Sequence, residues 1–453
     1  MRNEAGSKPA VVPAEKPADQ PLLQFFALIF GLFLGLSLIK FGNPVVMEKF
    51  IIPPKDFYEW LFNPWPAVWG YWQLAGVGVA GFLAARWRND LPKAILALPL
   101  IWLGWQVVAG TQTVDPRLSH GTLLHFSTCV VCFYLGVFAL GRRKNLGLFW
   151  CGLLAGFGLV LVSGLRQHFG GLEATRNYFF LYVYPQMKEV PPEYLKKLST
   201  NRIFGTLFYP NALAGVILML LPLTLAVFWS LRRQFTIGAR RFMVGVVVMA
   251  ALGCLYWSGS KGGWLLMLAI GLVAALFLPS KRQFKLGLVA GVLILGLAGF
   301  FVKYSGFFKR GATSVVARFD YWQAAVQTAK ANPVFGSGPG TFGLAYARIK
   351  KPESEMSRVT HNDYLQQASD SGVVGFLSFA GFVAASLVYA YRKSGLRGDW
   401  VKLGIWLGLL GWALQGLVEF GLYIPAIAWP AFSLLGWLLA QASNQIDSPQ
   451  PTG

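Results

Sequence analysis

The sequence predicts an all-α membrane protein that crosses the bilayer about twelve times. The chain of 453 residues is 55% hydrophobic and only 13% charged, and its mean hydropathy is +0.51. The apolar residues form long runs, and twelve spans of about 20 residues each would use most of them. The basic residues gather in the short segments between alternate runs. A soluble globule, a disordered chain and a disulfide scaffold all fit this composition poorly.

The apolar runs set the bounds of the twelve predicted spans. In chain order these are residues 22–39, 67–84, 94–110, 122–140, 148–165, 211–228, 242–257, 264–278, 286–302, 373–391, 401–418 and 424–439. Residues 1–21 are polar and proline-rich, and no small-residue cleavage site follows them. They are therefore predicted to be a disordered cytoplasmic tail and not a signal peptide. Residues 22–442 form the predicted membrane domain, and residues 443–453 a second cytoplasmic tail.

The net charge of +21 is explained first by topology. With the N-terminus in the cytoplasm, every inside segment is short and basic, as the positive-inside rule requires. These segments carry Arg86, Arg88, Lys93, Arg142, Arg143, Lys144, Arg232, Arg233, Arg240, Arg241, Lys281, Arg282, Lys285, Arg392, Lys393, Arg397 and Lys402. On a soluble protein the same charge would indicate nucleic acid, but no nucleic-acid partner is expected here. The two largest loops, residues 166–210 and 303–372, then lie outside, where the function is expected.

The second large outer loop begins with a predicted amphipathic helix over residues 315–331. Its apolar side chains Val315, Phe319, Trp322 and Val326 recur at helical spacing, which favours a helix lying on the membrane interface. A glycine-rich stretch, residues 336–342, follows it. Its glycines permit a tight turn whose backbone amides could line an anion site. The spacing alone favours an ordinary turn between helices.

His361 is one of four histidines and precedes a predicted span on the outer face. Histidine takes up a proton near neutral pH, as a general base does. Asp363 is near enough in sequence to orient it, provided that the backbone between them is not helical. The other interpretation is a helix N-terminus with polar capping, which the residues alone favour.

Two cations on the outer face are further candidates. Arg202 precedes the sixth span and, taken alone, is interpreted as an interfacial anchor. Lys261 lies in the short turn between the seventh and eighth spans. There it could bind an anion together with the amides of the next helix, or it could be a loop charge at the membrane surface. The joint placement of a histidine and several cations on one face favours a site for the diphosphate of a lipid-linked substrate.

Other patterns carry less weight. Cys129 and Cys132 have redox or metal spacing, but inside a span they are interpreted as packed small residues, and no disulfide is predicted. No GxxxxGK[ST] pattern occurs, so ATP-driven pumping by this chain is not expected. A transporter is an alternative because twelve spans suit that class. The spans hold few ionisable residues, however, and a carrier needs them near the middle of the membrane.

Taken in order, these segments resemble the O-antigen ligase family of bacterial membrane proteins. This superfamily also includes O-antigen polymerases and protein O-oligosaccharyltransferases. The matching pieces are Arg202-x-x-Gly205 with Pro210-Asn211, Ser260-Lys261-Gly262, Arg318-x-x-Tyr321-Trp322, Pro333-x-x-Gly336-x-Gly338-x-Gly340-x-Phe342 and His361-Asn362-x-Tyr364-Leu365. The family commonly has arginine where this chain has Lys261, and lysine keeps the charge but loses the bidentate fork.

The resemblance implies a glycosyltransferase at the periplasmic face of the bacterial inner membrane. Its donor would be a glycan on undecaprenyl diphosphate, and in a ligase its acceptor would be the lipid A core. The family is metal-independent, so neither a metal nor a cofactor is expected, in agreement with the absence of an Asp-x-Asp pair. Carried over by motif, His361 would activate the acceptor hydroxyl, and Arg202 and Lys261 would hold the diphosphate. Arg318 would assist them there or simply fix its helix.

The alternatives within the superfamily stay open at this point. A polymerase that joins repeat units is the runner-up. A protein O-oligosaccharyltransferase is the third alternative, and it is mildly disfavoured because the sequence shows no large extra C-terminal domain. The sugar, the acceptor, the oligomeric state and the stereochemical outcome do not follow from the sequence.

Overall fold

The structure, a computed structural model, describes residues 19–443 apart from residues 86, 88, 89, 143–145, 188, 189, 191–194, 196–198 and 310–312. Throughout this part of the chain the regular secondary structure is helical and no β-strand occurs, which confirms the predicted all-α class. The predicted tails lie outside the described residues, except that residues 19–21 begin the first helix and residue 443 ends the last.

The described α-helices are numbered here in chain order. They are α1 (Asp19–Lys40), α2 (Phe57–Phe62), α3 (Ala67–Ala84), α4 (Lys93–Gly110), α5 (Pro116–Phe138), α6 (Gly147–Arg166), α7 (Leu172–Tyr178), α8 (Pro210–Ser230), α9 (Ile237–Ser258), α10 (Lys261–Leu276), α11 (Arg282–Lys309), α12 (Thr313–Ala331), α13 (Phe342–Ile349), α14 (Asp363–Lys393), α15 (Trp400–Gln415) and α16 (Pro425–Ser443). Short 3₁₀ turns lie at Val45–Phe50, Leu140–Arg142, Tyr184–Gln186 and Gly421–Tyr423, and π turns at Gln167–Gly171 and Phe179–Val183.

Each of the twelve predicted spans coincides with one of these helices. Within the described residues, ten helices are long and apolar enough to cross a membrane: α1, α3, α4, α5, α6, α8, α9, α11, α14 and α16. The other two predicted spans correspond to α10 and α15, which have 16 residues each. The chain is therefore a multi-pass membrane protein, and the count of twelve is approximate.

Glycines bring neighbouring spans into close backbone contact. A Cβ built on Gly35 of α1 would lie 2.2 Å from the carbonyl oxygen of Gly152 in α6. A Cβ built on Gly152 would lie 2.4 Å from the backbone of Gly31. Lipid offers no hydrophobic drive for helix association, so membrane helices rely on such close packing of small residues. The last helix, α16, lies at the centre of this assembly, with 94% of its span buried.

The helix predicted over residues 315–331 of the second outer loop is present as α12. Tyr321, Ala324 and Ala325 on one face pack in a small core with Phe342 and Tyr346. The opposite face exposes most of the predicted apolar stripe, namely Val315, Phe319 and Val326. An apolar face of this kind suits contact with a membrane surface, and that location stays a prediction.

Helix α14 begins earlier than the tenth predicted span. The span was placed from residue 373, whereas the helix starts at Asp363 and is interrupted at Ser371 and Gly372. Gly372 has φ +70°, and a Cβ there would lie 2.1 Å from the carbonyl oxygen of Val334. The helical turns before this break are polar, so hydropathy could not identify them.

Candidate active site

Glu419 lies where four side chains from three other segments meet. It is buried in the turn that follows α15. Asn211 Nδ2 donates a hydrogen bond to Glu419 Oε1 at 2.6 Å, and Arg318 Nη2 forms a salt bridge to the same oxygen. The Tyr209 hydroxyl donates to Oε2, and His361 Nδ1 lies 3.2 Å from Oε2. Four donors thus surround one carboxylate.

The Glu419 carboxyl is ionised in this setting. Burial acts to raise its pKa, but the Arg318 guanidinium and the contact with His361 outweigh burial and lower the pKa to about 2. Burial and the neighbouring carboxylate raise the pKa of the Tyr209 hydroxyl well above its usual value, so Tyr209 stays a donor. An ionised carboxylate can only accept hydrogen bonds. We therefore assign the proton of the His361–Glu419 hydrogen bond to Nδ1 of the imidazole.

The backbone at His361 is strained. With φ of 51°, His361 is the only non-glycine residue of positive φ among those the structure describes. The Thr360 amide donates to Gln366 Oε1 at 3.0 Å, and Asn362 Nδ2 donates to the Leu417 carbonyl at 2.9 Å. Strain of this kind persists only where the surroundings over-determine the conformation, and it clusters at functional sites.

Aromatic rings enclose the His361 imidazole. Tyr321 stacks on it with ring centroids 5.8 Å apart, and Phe420 and Tyr209 meet it edge-on at 4.8 and 6.1 Å. The side chain keeps 23% of its surface exposed. Nδ1 faces Glu419, while no described residue forms a hydrogen bond with Nε2. The rings fix the orientation of the imidazole and leave Nε2 accessible.

The prediction that Asp363 orients His361 is wrong. Asp363 is buried, and its Oδ2 accepts a hydrogen bond from the Leu422 amide at 3.0 Å. Its own amide donates to the Gly416 carbonyl at 2.7 Å, which ties the start of α14 to the turn after α15. Asp363 therefore holds the two turns together, and Glu419 is the carboxylate that contacts the histidine. The capping interpretation is also correct in part, because Asn362 caps α14.

Arg202 joins the cluster through Asn211. Its Nη2 donates to Asn211 Oδ1 at 2.8 Å, and its Nε donates to the Ser258 carbonyl at 2.7 Å. Burial lowers the pKa of the guanidinium, and the nearby Glu419 opposes that shift. Gly259, with φ +62°, leaves room for Arg202, because a Cβ there would lie 3.2 Å from its Nε.

Lys261 is the first residue of α10. The preceding Ser260 caps this helix, its hydroxyl accepting a hydrogen bond from the Gly263 amide at 3.2 Å. Lys261 Nζ lies 5.2 Å from the centroid of the Tyr304 ring. The positive charges of Arg202 and Arg318 repel the charge of Lys261. A cation at a helix N-terminus adds its charge to the partial positive charge of that terminus.

All four residues singled out from the sequence are brought to this place, namely Arg202, Lys261, Arg318 and His361. Glu419 was missed, together with Tyr209 and Asn211, because these residues are distant in sequence from His361. One signal was available for Glu419. It is an acidic residue between Val418 and Phe420, at the outer end of a predicted span.

The glycine-rich stretch of residues 336–342 is a structural turn. Asp370 accepts hydrogen bonds from the Gly340 amide at 2.8 Å and from the Phe342 amide at 3.0 Å. The Gly338 amide donates to the Asp370 carbonyl, also at 2.8 Å. These amides are therefore used within the protein. This confirms the interpretation as a turn over the alternative of an anion site.

The remaining candidate residues are buried inside the helix bundle. Cys129 and Cys132 are free thiols buried in α5, which confirms their interpretation as packed residues. His125 is buried, and its Nε2 is 2.8 Å from the Leu422 carbonyl. Among the described residues, no group of three or more His, Cys, Asp and Glu side chains could hold a metal ion.

Two comparisons with known proteins bear on this site. Residues 246–380 match the sequence profile of a family described as O-antigen ligase. The chain is also 25% identical over 173 residues to a protein of Haemophilus influenzae described as uncharacterized. That alignment covers 33% of this chain and 43% of the relative, so the chain spans less than half the length of the relative it matches.

The family match includes three of the four predicted site residues. Lys261, Arg318 and His361 lie inside the matched stretch, whereas Arg202 and Glu419 lie outside it. The match confirms the resemblance drawn from the motifs. It supports a glycosyltransferase-like function of the ligase or polymerase type and does not separate the two. Residues 246–380 of this chain are thus similar to the O-antigen ligase family.

Proposed function

We propose that this protein is a glycosyltransferase that moves a glycan from undecaprenyl diphosphate to an acceptor hydroxyl on the lipid A core. It would lie in the bacterial inner membrane with its site facing the periplasm. The family match supports a ligase or polymerase type of function. The convergence of cations and one oriented histidine on the face predicted to be outside supports transfer from a diphosphate donor.

The observation that carries the proposal is the contact between His361 and Glu419. Glu419 accepts from Nδ1 at 3.2 Å, so the lone pair of the neutral imidazole is on Nε2, the nitrogen without a described partner. A carboxylate behind an imidazole holds the tautomer and stabilises the imidazolium that forms on proton transfer. This is the arrangement that a general base needs in order to activate a hydroxyl.

In the proposed reaction the acceptor oxygen attacks the anomeric carbon of the donor glycan. The hydroxyl proton passes to His361 Nε2, and the new carbon–oxygen bond forms. The bond between the anomeric carbon and the diphosphate oxygen breaks, and its electron pair leaves with the diphosphate. The positive imidazolium is then paired with the ionised Glu419.

In the proposed scheme Arg202 and Lys261 bind the departing diphosphate. Both are cations, and they lie near enough to each other to interact electrostatically. Positive groups fixed in advance stabilise negative charge as it develops in the transition state, without the reorganisation that water requires. Because diphosphate is a good leaving group, orienting the acceptor and neutralising this anion are the main tasks of the protein.

Arg318 has a different role in this scheme. The family resemblance implies that Arg318 either assists in binding the diphosphate or fixes its helix. Its salt bridge to Glu419 supports the second alternative, because one guanidinium nitrogen is engaged by that carboxylate. We propose that Arg318 is a positioning residue. It keeps Glu419 ionised and joins α12 to the turn after α15.

The proposed function is tested by reconstituting the purified protein in lipid vesicles with glycan-linked undecaprenyl diphosphate. Lipid A core and a second molecule of the donor are offered as acceptors in separate reactions. Glycan on the lipid A core identifies a ligase, and lengthened glycan on the carrier lipid identifies a polymerase. Transfer to neither acceptor rejects both activities. Glycan that crosses the bilayer still attached to its carrier would instead indicate a transporter.

A further inference from the structure

We propose that the diphosphate site extends to a second phosphate pocket formed by Lys303 and Tyr304 at the outer end of α11. This inference rests on the proposed function, and it deepens it by assigning separate ligands to the two phosphates. In this arrangement Arg202 and Lys261 bind one phosphate, and Lys303 and the Tyr304 hydroxyl bind the other.

The position of this pocket is set by the contact between α10 and α11. Trp264 Nε1 donates a hydrogen bond to the Gly296 carbonyl at 3.2 Å. A Cβ built on Gly296 would lie 2.3 Å from Leu268 Cδ2, so the two helices are in tight contact. Two turns further along α11, Lys303 and Tyr304 reach the N-terminus of α10, where Lys261 lies.

Lys303 lies near Arg202 and Lys261, the two cations that are proposed to bind the diphosphate. Its Nζ lies 2.9 Å from the centroid of the Tyr256 ring and donates to the Tyr256 carbonyl. The Tyr304 ring lies near both ammonium groups, 5.6 Å from Lys303 Nζ and 5.2 Å from Lys261 Nζ. Arg202 and Lys261 both interact electrostatically with Lys303. Like charges repel one another, so the grouping of these three cations favours a shared anionic ligand.

The Tyr304 hydroxyl supplies an independent observation. Tyr304 is only 6% exposed, and its hydroxyl forms no hydrogen bond with any residue that the structure describes. It is within electrostatic range of the Arg202 guanidinium. A buried hydroxyl without a partner is unfavourable. A phosphate oxygen between Tyr304 and Arg202 would accept its proton.

The N-terminus of α10 completes the pocket. Ser260 caps this helix by accepting a hydrogen bond from the Gly263 amide, and Lys261 is the first residue of the helix. The N-terminus of a helix favours negative charge. Several cations, a helix terminus and an unpaired hydroxyl fit an anion that carries more charge than a single phosphate, and a diphosphate matches that requirement.

The test measures binding of inorganic pyrophosphate and inorganic phosphate to the full-length protein in detergent by calorimetry. Lys303→Gln is expected to weaken pyrophosphate binding tenfold or more, and Tyr304→Phe severalfold, because charge-assisted hydrogen bonds are lost. Phosphate binding through Arg202 and Lys261 is expected to change less. Lys303→Arg should restore most of the affinity. Lys330→Gln, an exposed change on α12, is the matched control.

The pocket is rejected if wild-type protein binds pyrophosphate no better than phosphate. It is also rejected if Lys303→Gln and Tyr304→Phe both bind pyrophosphate as tightly as wild type does. Thermal unfolding of each variant shows whether it is folded, and the isosteric Tyr304→Phe keeps the test valid where a lysine variant is unstable. Pyrophosphate binding requires no glycosyl transfer. If the protein binds pyrophosphate as predicted but transfers no glycan, the proposed function is rejected and the pocket stands. If it transfers glycan but binds pyrophosphate no better than phosphate, the pocket is rejected and the proposed function stands.

Discussion

His361 Nδ1 lies 3.2 Å from Glu419 Oε2, although the two residues are 58 positions apart in the chain. The turns that carry them are joined by hydrogen bonds from Asn362 to the Leu417 carbonyl and from the Asp363 amide to the Gly416 carbonyl. His361, with its positive φ, lies directly before this junction. The fold thus maintains a strained histidine against a buried acid.

Replacing Glu419 with glutamine is expected to lower kcat by roughly 100-fold or more, because the imidazolium loses its carboxylate partner. Transfer assays in vesicles measure this effect. Asp320→Asn removes a carboxylate that contacts Ser354 and serves as the control. Equal activity in the two variants would show that Glu419 has no role in the reaction.

The ionised Glu419 also predicts how stability depends on pH. Its pKa falls from 4.5 to about 2 in the folded protein. A carboxyl with a lowered folded pKa contributes stability that is complete above its unfolded pKa and is lost as pH falls through the folded value. The unfolding temperature of wild type should therefore fall more steeply between about pH 4.5 and 2 than that of Glu419→Gln. Thermal scans in detergent measure this difference, and parallel curves would mean that the carboxyl is not paired.

At Lys261 the positive charge of the side chain is expected to matter more than the shape of the side chain. Lys261→Arg should retain transfer, because arginine keeps the positive charge beside the α10 N-terminus. The transfer rate of Lys261→Ala should fall roughly tenfold or more, since the leaving diphosphate loses a cation. Initial rates of transfer measure the comparison. If arginine and alanine give the same rate, Lys261 does not belong to the site.

The glycine-rich turn is expected to matter for stability and not for anion binding. Gly338 has φ +108°, and a Cβ there would lie 2.0 Å from Thr113 Oγ1. Gly338→Ala should cost roughly 1–3 kcal/mol of folding free energy through strain. The matched control is Gly381→Ala in α14, where a Cβ meets nothing within 4 Å. Unfolding temperatures test the pair. A Gly338→Ala variant as stable as the control would contradict the assigned turn geometry.

Hydropathy and charge were sufficient to predict the long apolar helices and to assign one face to the predicted site residues. Long apolar runs give spans because lipid leaves backbone groups no other partners. Counting the spans placed Arg202, Lys261, Arg318 and His361 on one face, and the structure brings them together. The partner of His361 could not be predicted, because Asp363 is closer in sequence. Its carboxylate is turned toward Leu422 by the helix start at Asn362.

The start of α14 shows a second limit of the sequence. The turns from Asp363 to Asp370 are polar, so hydropathy assigned them to a loop. They are buried all the same, because Gln366, Gln367 and Asp370 form hydrogen bonds with neighbouring segments. Hydrogen bonds of this kind depend on tertiary structure, so no local sequence pattern predicts them.

The most direct test of the central claim is transfer by wild type and by the His361→Ala and Arg202→Ala variants, reconstituted at equal amounts with the glycan-linked diphosphate donor and the lipid A core. Detergent extraction and thermal unfolding establish that each variant is inserted and folded. We predict glycan on the acceptor with wild type and none with either variant. Wild-type transfer rates from folded His361→Ala protein would contradict the account.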